Sequence, residues 1–199
     1  MSKAKEEKTT RKLLVIDLHG TLAAESADFR PRPGAIAFMK WCFESEKDFD
    51  IGFWTAASKD YAEPVIRDLC GKNFERLAFV WYGDRCTHVS PLKIYKEQQR
   101  DKQSAIFSDD FIQLTSGTTI MIKDLSRIWH NALGKRRGYR RTSTIVLDDN
   151  PVTYARNYGN AQPICTWNEA DTADTALNVA MVNICQRFLQ ADVRKRKAF

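Results

Sequence analysis

Apolar residues fall along this chain in short blocks separated by polar stretches, and their spacing alternates between the periods of strand and helix. Leu13, Leu14, Val15 and Ile16 form an unbroken apolar run closed by Asp17. Four in a row, two of them β-branched, predict a strand buried on both faces of a parallel sheet. Residues 23–32 read as a polar connection closed by Pro31-Arg32-Pro33-Gly34. Ile36, Met39 and Cys42/Phe43 then recur at helical spacing behind a proline, predicting a helix over 35–45. Residues 49–55 predict a second strand that ends on the Thr55 hydroxyl. Residues 59–70 predict a helix with Tyr61, Val65, Ile66 and Leu69 on one face and Gly71 as its stop. Pro64 falls in its first turns, where proline is tolerated. Residues 77–82 predict a third, short strand.

Between residues 83 and 117 the pattern weakens. The stretch is polar and densely charged over 93–102, and a connection of this length is usually functional or mobile. It reads as an insertion over the carboxyl ends of the strands. Order returns at 118–123, followed by a helix over about 125–133, a basic loop, and a strand over 143–147 that runs into Asp148-Asp149-Asn150-Pro151. The C-terminal helix is expected over about 172–191, with Asp171 as N-cap and Leu177, Ala180/Met181, Ile184 and Phe188 at helical spacing. Strands alternating with helices give an α/β fold: a Rossmann-like parallel sheet flanked by helices, with an insertion over the active-site end. The expected organisation is a flexible basic arm (1–11), one domain (12–192) with its insertion at about 83–117, and a basic tail (193–199).

Composition narrows this picture. With 199 residues and 43% hydrophobic content, the chain can bury a core as one domain. No run approaches the roughly 18 apolar residues that a membrane span needs, and the first residues are too charged for a signal peptide. Cys42, Cys70, Cys86, Cys165 and Cys185 are odd in number, with no CxxC pair. Such cysteines are expected as reduced thiols of a cytoplasmic or nuclear protein. The net charge of +6 is clustered in the N-terminal arm, in the tail, and in Lys135, Arg136, Arg137, Arg140 and Arg141. Such clusters either attract an acidic or nucleic-acid-associated partner or are solvated termini and a basic loop.

The chemistry gathers where strands end. Parallel strands bring their carboxyl ends to one crevice, so Asp17, Thr55, Lys123 (just past Ile120-Met121-Ile122) and Asp148-Asp149 are expected to converge. Carboxylates that hold a divalent cation, a lysine and a hydroxyl are the parts that phosphoryl transfer uses. An aspartate can itself attack phosphorus, and an oxygen ligand set favours Mg²⁺. Taken singly, an Asp-x-x-Gly-Thr turn or an Asp-Asn-Pro loop is ordinary turn chemistry; the joint order is what is specific.

These pieces resemble the haloacid dehalogenase superfamily, in its branch of RNA polymerase II C-terminal-domain phosphatases and NLI-interacting-factor-like phosphatases. The matching pieces are Leu-Val-Ile-Asp-Leu-His-Gly-Thr-Leu, Arg-Pro-Gly, Phe-Trp-Thr-Ala-Ala-Ser, Tyr-Ala-Glu-Pro-Val, Lys-Asp-Leu-Ser-Arg and Val-Leu-Asp-Asp-Asn-Pro. The resemblance implies Mg²⁺ and hydrolysis of phosphoserine or phosphothreonine in proteins through an aspartyl-phosphate. Asp17 would be nucleophile and metal ligand, and the backbone carbonyl of His19 a second ligand. Asp149 would be the direct acidic ligand, with Asp148 supporting it. Thr55 and Ala56 would bind the phosphoryl group, and Lys123 would counter its charge and orient Asp17.

The departure is His19, which stands where the family pattern has a second Asp, the general acid and base. Two outcomes follow. Either His19 takes over acid–base work, or the chain is a pseudophosphatase that binds phosphate or phosphoproteins without turnover. An imidazolium is disfavoured beside Mg²⁺ and Lys123, which leaves alkyl leaving groups poorly served. A third reading, a nucleic-acid-end phosphatase, rests on the basic cluster, where Tyr139 is the one aromatic.

Overall fold

The computed structural model describes residues 11–25, 30–45, 49–100 and 107–188, with side chains to residue 186. Most of the flanking segments, with the tail, lie outside the described residues. At its centre is β1 (Lys12–Ile16), flanked by β2 (Phe49–Trp54) and β6 (Thr144–Asp148), with β3 (Phe79–Trp81) and β7 (Ala161–Pro163) at the edges. All four pairings in the β3-β2-β1-β6-β7 sheet are parallel. This is the expected Rossmann-like α/β arrangement.

Alternation along β1 explains its continuous apolar run. Leu14 and Ile16 pack with Ile51, Phe53, Ile145 and Leu147 on one face. That face is covered by α1 (Ala35–Glu44), α2 (Lys59–Cys70) and α7 (Ala176–Asn183). Leu13 and Val15 point the other way, into a cluster with Trp54, Leu125, Ile128, Val146 and Tyr154. Both faces of the strand are therefore dry, as parallel sheets require.

Several expectations need correction. The buried face of α1 is Ala35, Phe38, Met39, Cys42 and Phe43, and Ile36 points to solvent at 63% exposure. In α2 the buried partner of Val65, Ile66 and Leu69 is Ala62, whereas Tyr61 stands at the surface. Arg11, counted with the arm, is tied to Asp50 at 2.7 Å. The segment from 83 onward holds β4 (Thr87–Val89), α3 (Pro91–Arg100) and α4 (Asp109–Leu114). Three-residue strands and a charged helix leave little periodicity to read, so their pattern is weak for a physical reason. β4 pairs antiparallel with β5 (Ile120–Ile122) in a separate two-stranded sheet.

The helix expected over 125–133 is two helices, α5 (Ser126–His130) and α6 (Ala132–Arg137). The break is at Asn131, which turns extended and caps α6 by accepting from the Gly134 N–H at 2.7 Å. Gly134 is needed for the close turn: a Cβ there would sit 2.0 Å from the Ile128 carbonyl oxygen. Lys135, Arg136 and Arg137 therefore form a helix end, not a loop. The C-terminal helix starts at Ala176 rather than near 172, with Thr175 at its N-cap and Asp171 outside it, and passes into a π-helical turn at Ile184–Phe188. Leu177, Ala180 and Ile184 are buried as their spacing implies. No described helix is long and apolar enough to cross a membrane.

Candidate active site

Register brings the carboxyl edge together. Ile16 lies beside Phe53 on one side and Leu147 on the other, so the next residues of each strand share one crevice. Asp17 continues the ladder by donating its N–H to the Leu147 carbonyl at 2.9 Å, and Thr55 does the same to Trp81 at 3.0 Å.

The loop after β1 turns at Gly20, whose φ of +74° lies in the left-handed region. A Cβ at this position would meet Asp149 Oδ2 at 2.4 Å. Thr21 lies under the carboxylates: its hydroxyl reaches Asp17 Oδ2 at 3.2 Å and Asp149 Oδ1 at 3.1 Å, and accepts from the Asp149 N–H at 3.2 Å. Its single proton can serve one carboxylate at a time. The Thr166 hydroxyl donates to Asp149 Oδ2 at 2.7 Å. Beneath the loop, the buried Arg32 guanidinium donates to the carbonyls of Gly20, Thr21 and Cys165 and forms a two-pronged pair with Asp174, both contacts at 2.8 Å.

Lys123 arrives by a different route from the one its position suggests. It follows β5 of the small antiparallel sheet, not a strand of the parallel one. Its N–H donates to the Thr153 carbonyl at 2.6 Å and its carbonyl accepts from Asn157 at 3.0 Å, which fixes the backbone beside the crevice. The ammonium then donates to Asp17 Oδ1 and, at 2.7 Å, to Asp148 Oδ2. Asp148 is fully buried and also accepts from the Thr153 hydroxyl and the Asn150 N–H. Its carboxylate thus holds Lys123, Thr153 and the turn at Asn150 together.

Burial pushes the Asp17 carboxyl up to about 7 against the pull of Lys123, with Asp148 and Asp149 adding repulsion. Burial also works against the Lys123 charge, yet Asp148 and Asp17 outweigh it and hold the ammonium above its ordinary value. Lys123 therefore stays charged, and the strain of crowding falls on Asp17. Asp17, Asp148 and Asp149 each offer an oxygen within 4.8 Å of the others. Three carboxylates against one ammonium leave two negative charges uncompensated when all are ionised. A hard divalent cation with oxygen ligands fits that imbalance.

His19 stands in the pocket wall. Its Nδ1 is 3.3 Å from Thr55 Oγ1, and its ring packs on Tyr61 with centroids 5.2 Å apart. Thr55 Oγ1 already accepts from the Ala57 N–H at 3.2 Å. When its hydroxyl donates to His19 Nδ1, the neutral ring carries its proton on Nε2. Burial lowers the His19 pKa, Glu25 opposes the shift and Lys123 adds to it. The cavity, about 320 Å³, is lined by Asp17, His19, Thr55, Ala56, Lys123 and Asp149, among others.

Every residue expected at the site thus lines one cavity, apart from the basic cluster. Lys135, Arg136, Arg137, Arg140 and Arg141 precede β6, whose far end carries Asp148, so they lie at the opposite edge of the sheet. Sequence reasoning missed Thr21, Thr153 and Thr166 as carboxylate partners, and Tyr61 as the wall behind His19. Thr21 sits inside the Gly-Thr turn and could have been found there. Thr166, distant in sequence, carries no local signal.

The parallel α/β sheet thus carries a lysine-clamped acidic cluster and a hydroxyl at its carboxyl edge. The sequence profile described as NLI interacting factor-like phosphatase matches residues 12–195, and the chain belongs to that family. Comparison with curated proteins finds no match. Solved structures similar to it include Fcp1, an essential RNA polymerase II CTD phosphatase (13% identity, TM-score 0.47, 94% of this chain and 51% of that one). A fission yeast Fcp1 variant bound to beryllium fluoride (14%, 0.47, 94% and 53%) is similar to it as well. So is a protein of Thermoplasma acidophilum (9%, 0.46, 90% and 98%). The chain spans about half the length of the two Fcp1 structures.

Proposed function

We propose that this protein is a Mg²⁺-dependent phosphomonoester hydrolase that works through an aspartyl-phosphate on Asp17, with His19 restricting it to good leaving groups. The observation that carries the reading is Lys123, buried between Asp17 and Asp148 with Asp149 at hand. Asp17 with Asp149 and the His19 carbonyl would hold the cation. Bound there, Mg²⁺ supplies neutralising charge to the phosphate oxygens.

In the first half, an Asp17 carboxylate oxygen attacks phosphorus and the P–O bond to the leaving group breaks. Lys123 and Thr55, whose single proton turns from His19 Nδ1 to the phosphoryl oxygens and frees that nitrogen, stabilise charge on the transferring group. In the second half, water attacks phosphorus, the P–O bond to Asp17 breaks, and phosphate leaves with Asp17 restored. A neutral His19 can take a proton from that water but has none to give an alkoxide from Nδ1. General acid catalysis contributes about 10²–10⁴-fold, so aryl phosphates should exceed alkyl phosphates by a factor of that order. Phosphoserine and phosphothreonine proteins, the substrates implied by resemblance, are then turned over slowly.

Steady-state assays with para-nitrophenyl phosphate and a phosphoserine peptide, with and without Mg²⁺, test this. Turnover of the aryl ester that needs Mg²⁺ and disappears in Asp17→Asn supports it. An inactive parent whose His19→Asp variant is active would assign the chain as a phosphate-binding pseudophosphatase.

A further inference from the structure

The basic cluster at the amino-terminal edge of the sheet has no part in the chemistry above. Between Asp124 and Asp148 the chain carries Arg127, Lys135, Arg136, Arg137, Arg140 and Arg141 and not one acid. Five of these cations fall within 135–141, and all five are exposed. Compensation of the α6 dipole accounts for a residue or two in its last turn, not for Arg140 and Arg141 beyond it.

The cluster is held on a fixed frame. Gly138 closes α6 in the left-handed conformation, and Tyr139 is buried with its hydroxyl on Asp50. The Arg140 carbonyl accepts from the Thr144 hydroxyl at 2.9 Å, and the Arg141 carbonyl from Asn160 at 2.7 Å. Asp50, an acid at this edge, has a side chain only 12% exposed and is shared by Arg11 and Arg137. Among the described residues Arg136, Arg140 and Arg141 pair with no carboxylate.

We infer that this edge is a binding surface for the phosphate backbone of double-stranded nucleic acid, remote from the catalytic pocket. Protein partners are gripped by apolar and aromatic anchors, and the large exposed apolar residues of the described chain (Ile36, Leu92, Leu114 and Val179 among them) all lie outside 125–147. Single strands need exposed aromatic platforms; Tyr139 is buried, and Trp129 is half-buried with its indole N–H donating to the Thr144 hydroxyl. What remains is charge on a rigid frame, which is how backbone phosphates are held. The position at the far edge of the sheet also separates this surface from Asp17, so a bound duplex is tethered rather than presented for cleavage.

The test is fluorescence polarisation of the full chain with a labelled 20-base-pair DNA duplex, an RNA duplex and a poly-glutamate peptide over a salt series. The parent should bind a duplex with a dissociation constant of about 10⁻⁴–10⁻⁶ M near physiological salt. In the triple variant Arg136→Glu/Arg140→Glu/Arg141→Glu, affinity should fall at least tenfold. The log–log salt slope should shrink by about 2.7, at about 0.9 for each phosphate that is no longer neutralised. The triple variant should keep the parent's activity on aryl phosphate, and Asp17→Asn should bind duplex as the parent does. No duplex binding by the parent, or binding by the triple variant within twofold of it, overturns the inference. Failure of Asp17→Asn to bind duplex moves the occupant to the pocket and overturns it too. Tighter binding of poly-glutamate than of either duplex, with the same sensitivity to the triple variant, would assign the surface to an acidic protein instead.

Discussion

Removing Asp174 probes how the catalytic loop is held. Arg32 is 1% exposed, and Asp174 supplies its counter-charge through two contacts of 2.8 Å. Asp174→Ala leaves a buried guanidinium without its partner, a change that typically costs about 3–5 kcal/mol. Three backbone carbonyls at 2.9 to 3.3 Å continue to solvate Arg32, so the lower end, about 3 kcal/mol, is expected. At about 2–4 °C per kcal/mol for a chain of this size, Tm should fall by about 6–12 °C. The hydrogen bond from Arg32 holds the Asp174 carboxyl below its ordinary value, against an opposing push from burial. A depressed folded-state pKa adds stability that is complete above the unfolded value, about 3.9, and is lost as pH falls through the folded value. Urea denaturation of parent and variant should therefore differ most near neutral pH and converge below about pH 4. Because Arg32 also holds the Gly20 and Thr21 carbonyls, kcat should drop in the variant. A gap under 1 kcal/mol at neutral pH, or one that does not narrow in acid, would refute the reasoning.

Three further outcomes follow from the geometry. Gly20→Ala places a methyl against Asp149 and pays about 1–2 kcal/mol for its left-handed backbone, so both thermal stability and activity should fall; unchanged activity by the aryl phosphate assay would contradict the placement of Asp149. Lys123→Met removes the cation between Asp17 and Asp148, and kcat/KM should fall by on the order of 10²–10³, whereas a Lys123→Met enzyme within tenfold of the parent would exclude Lys123 from the site. Cys165 is exposed while Cys42, Cys70 and Cys86 are buried, so a thiol reagent followed by peptide mapping should label Cys165 first; earlier labelling of any of those three would show that the core opens.

What the chain discloses before folding depends on how local the cause is. β1, β2 and the bounds of α2 are legible because a dry strand and a capped helix are written in consecutive residues, down to Gly71 as the stop. Asp17, Thr55, Lys123 and Asp148-Asp149 are legible because each follows an apolar run. For Lys123 that reason is incomplete, since its strand pairs antiparallel with β4. Nothing in three residues of β5 discloses a partner more than thirty positions away. The break at Asn131 depends on one side chain reaching the Gly134 N–H, a choice that competes with helix continuation and carries no periodic signature. Asp174 reaches Arg32 across 142 positions and Thr166 reaches Asp149 across 17, contacts that only the closed fold creates. His19 is legible as an anomaly, but its placement against Thr55 and Tyr61 is not.

The central claim is that Asp17 becomes covalently phosphorylated. It can be measured by quenching the Mg²⁺-loaded protein during turnover of para-nitrophenyl phosphate, reducing with borohydride, and mapping peptides by mass spectrometry. Reduction of an acyl phosphate converts the aspartate to homoserine. The expected result is homoserine at position 17, dependent on substrate and on Mg²⁺. Turnover with an unmodified Asp17, or no modification and no turnover, would contradict it.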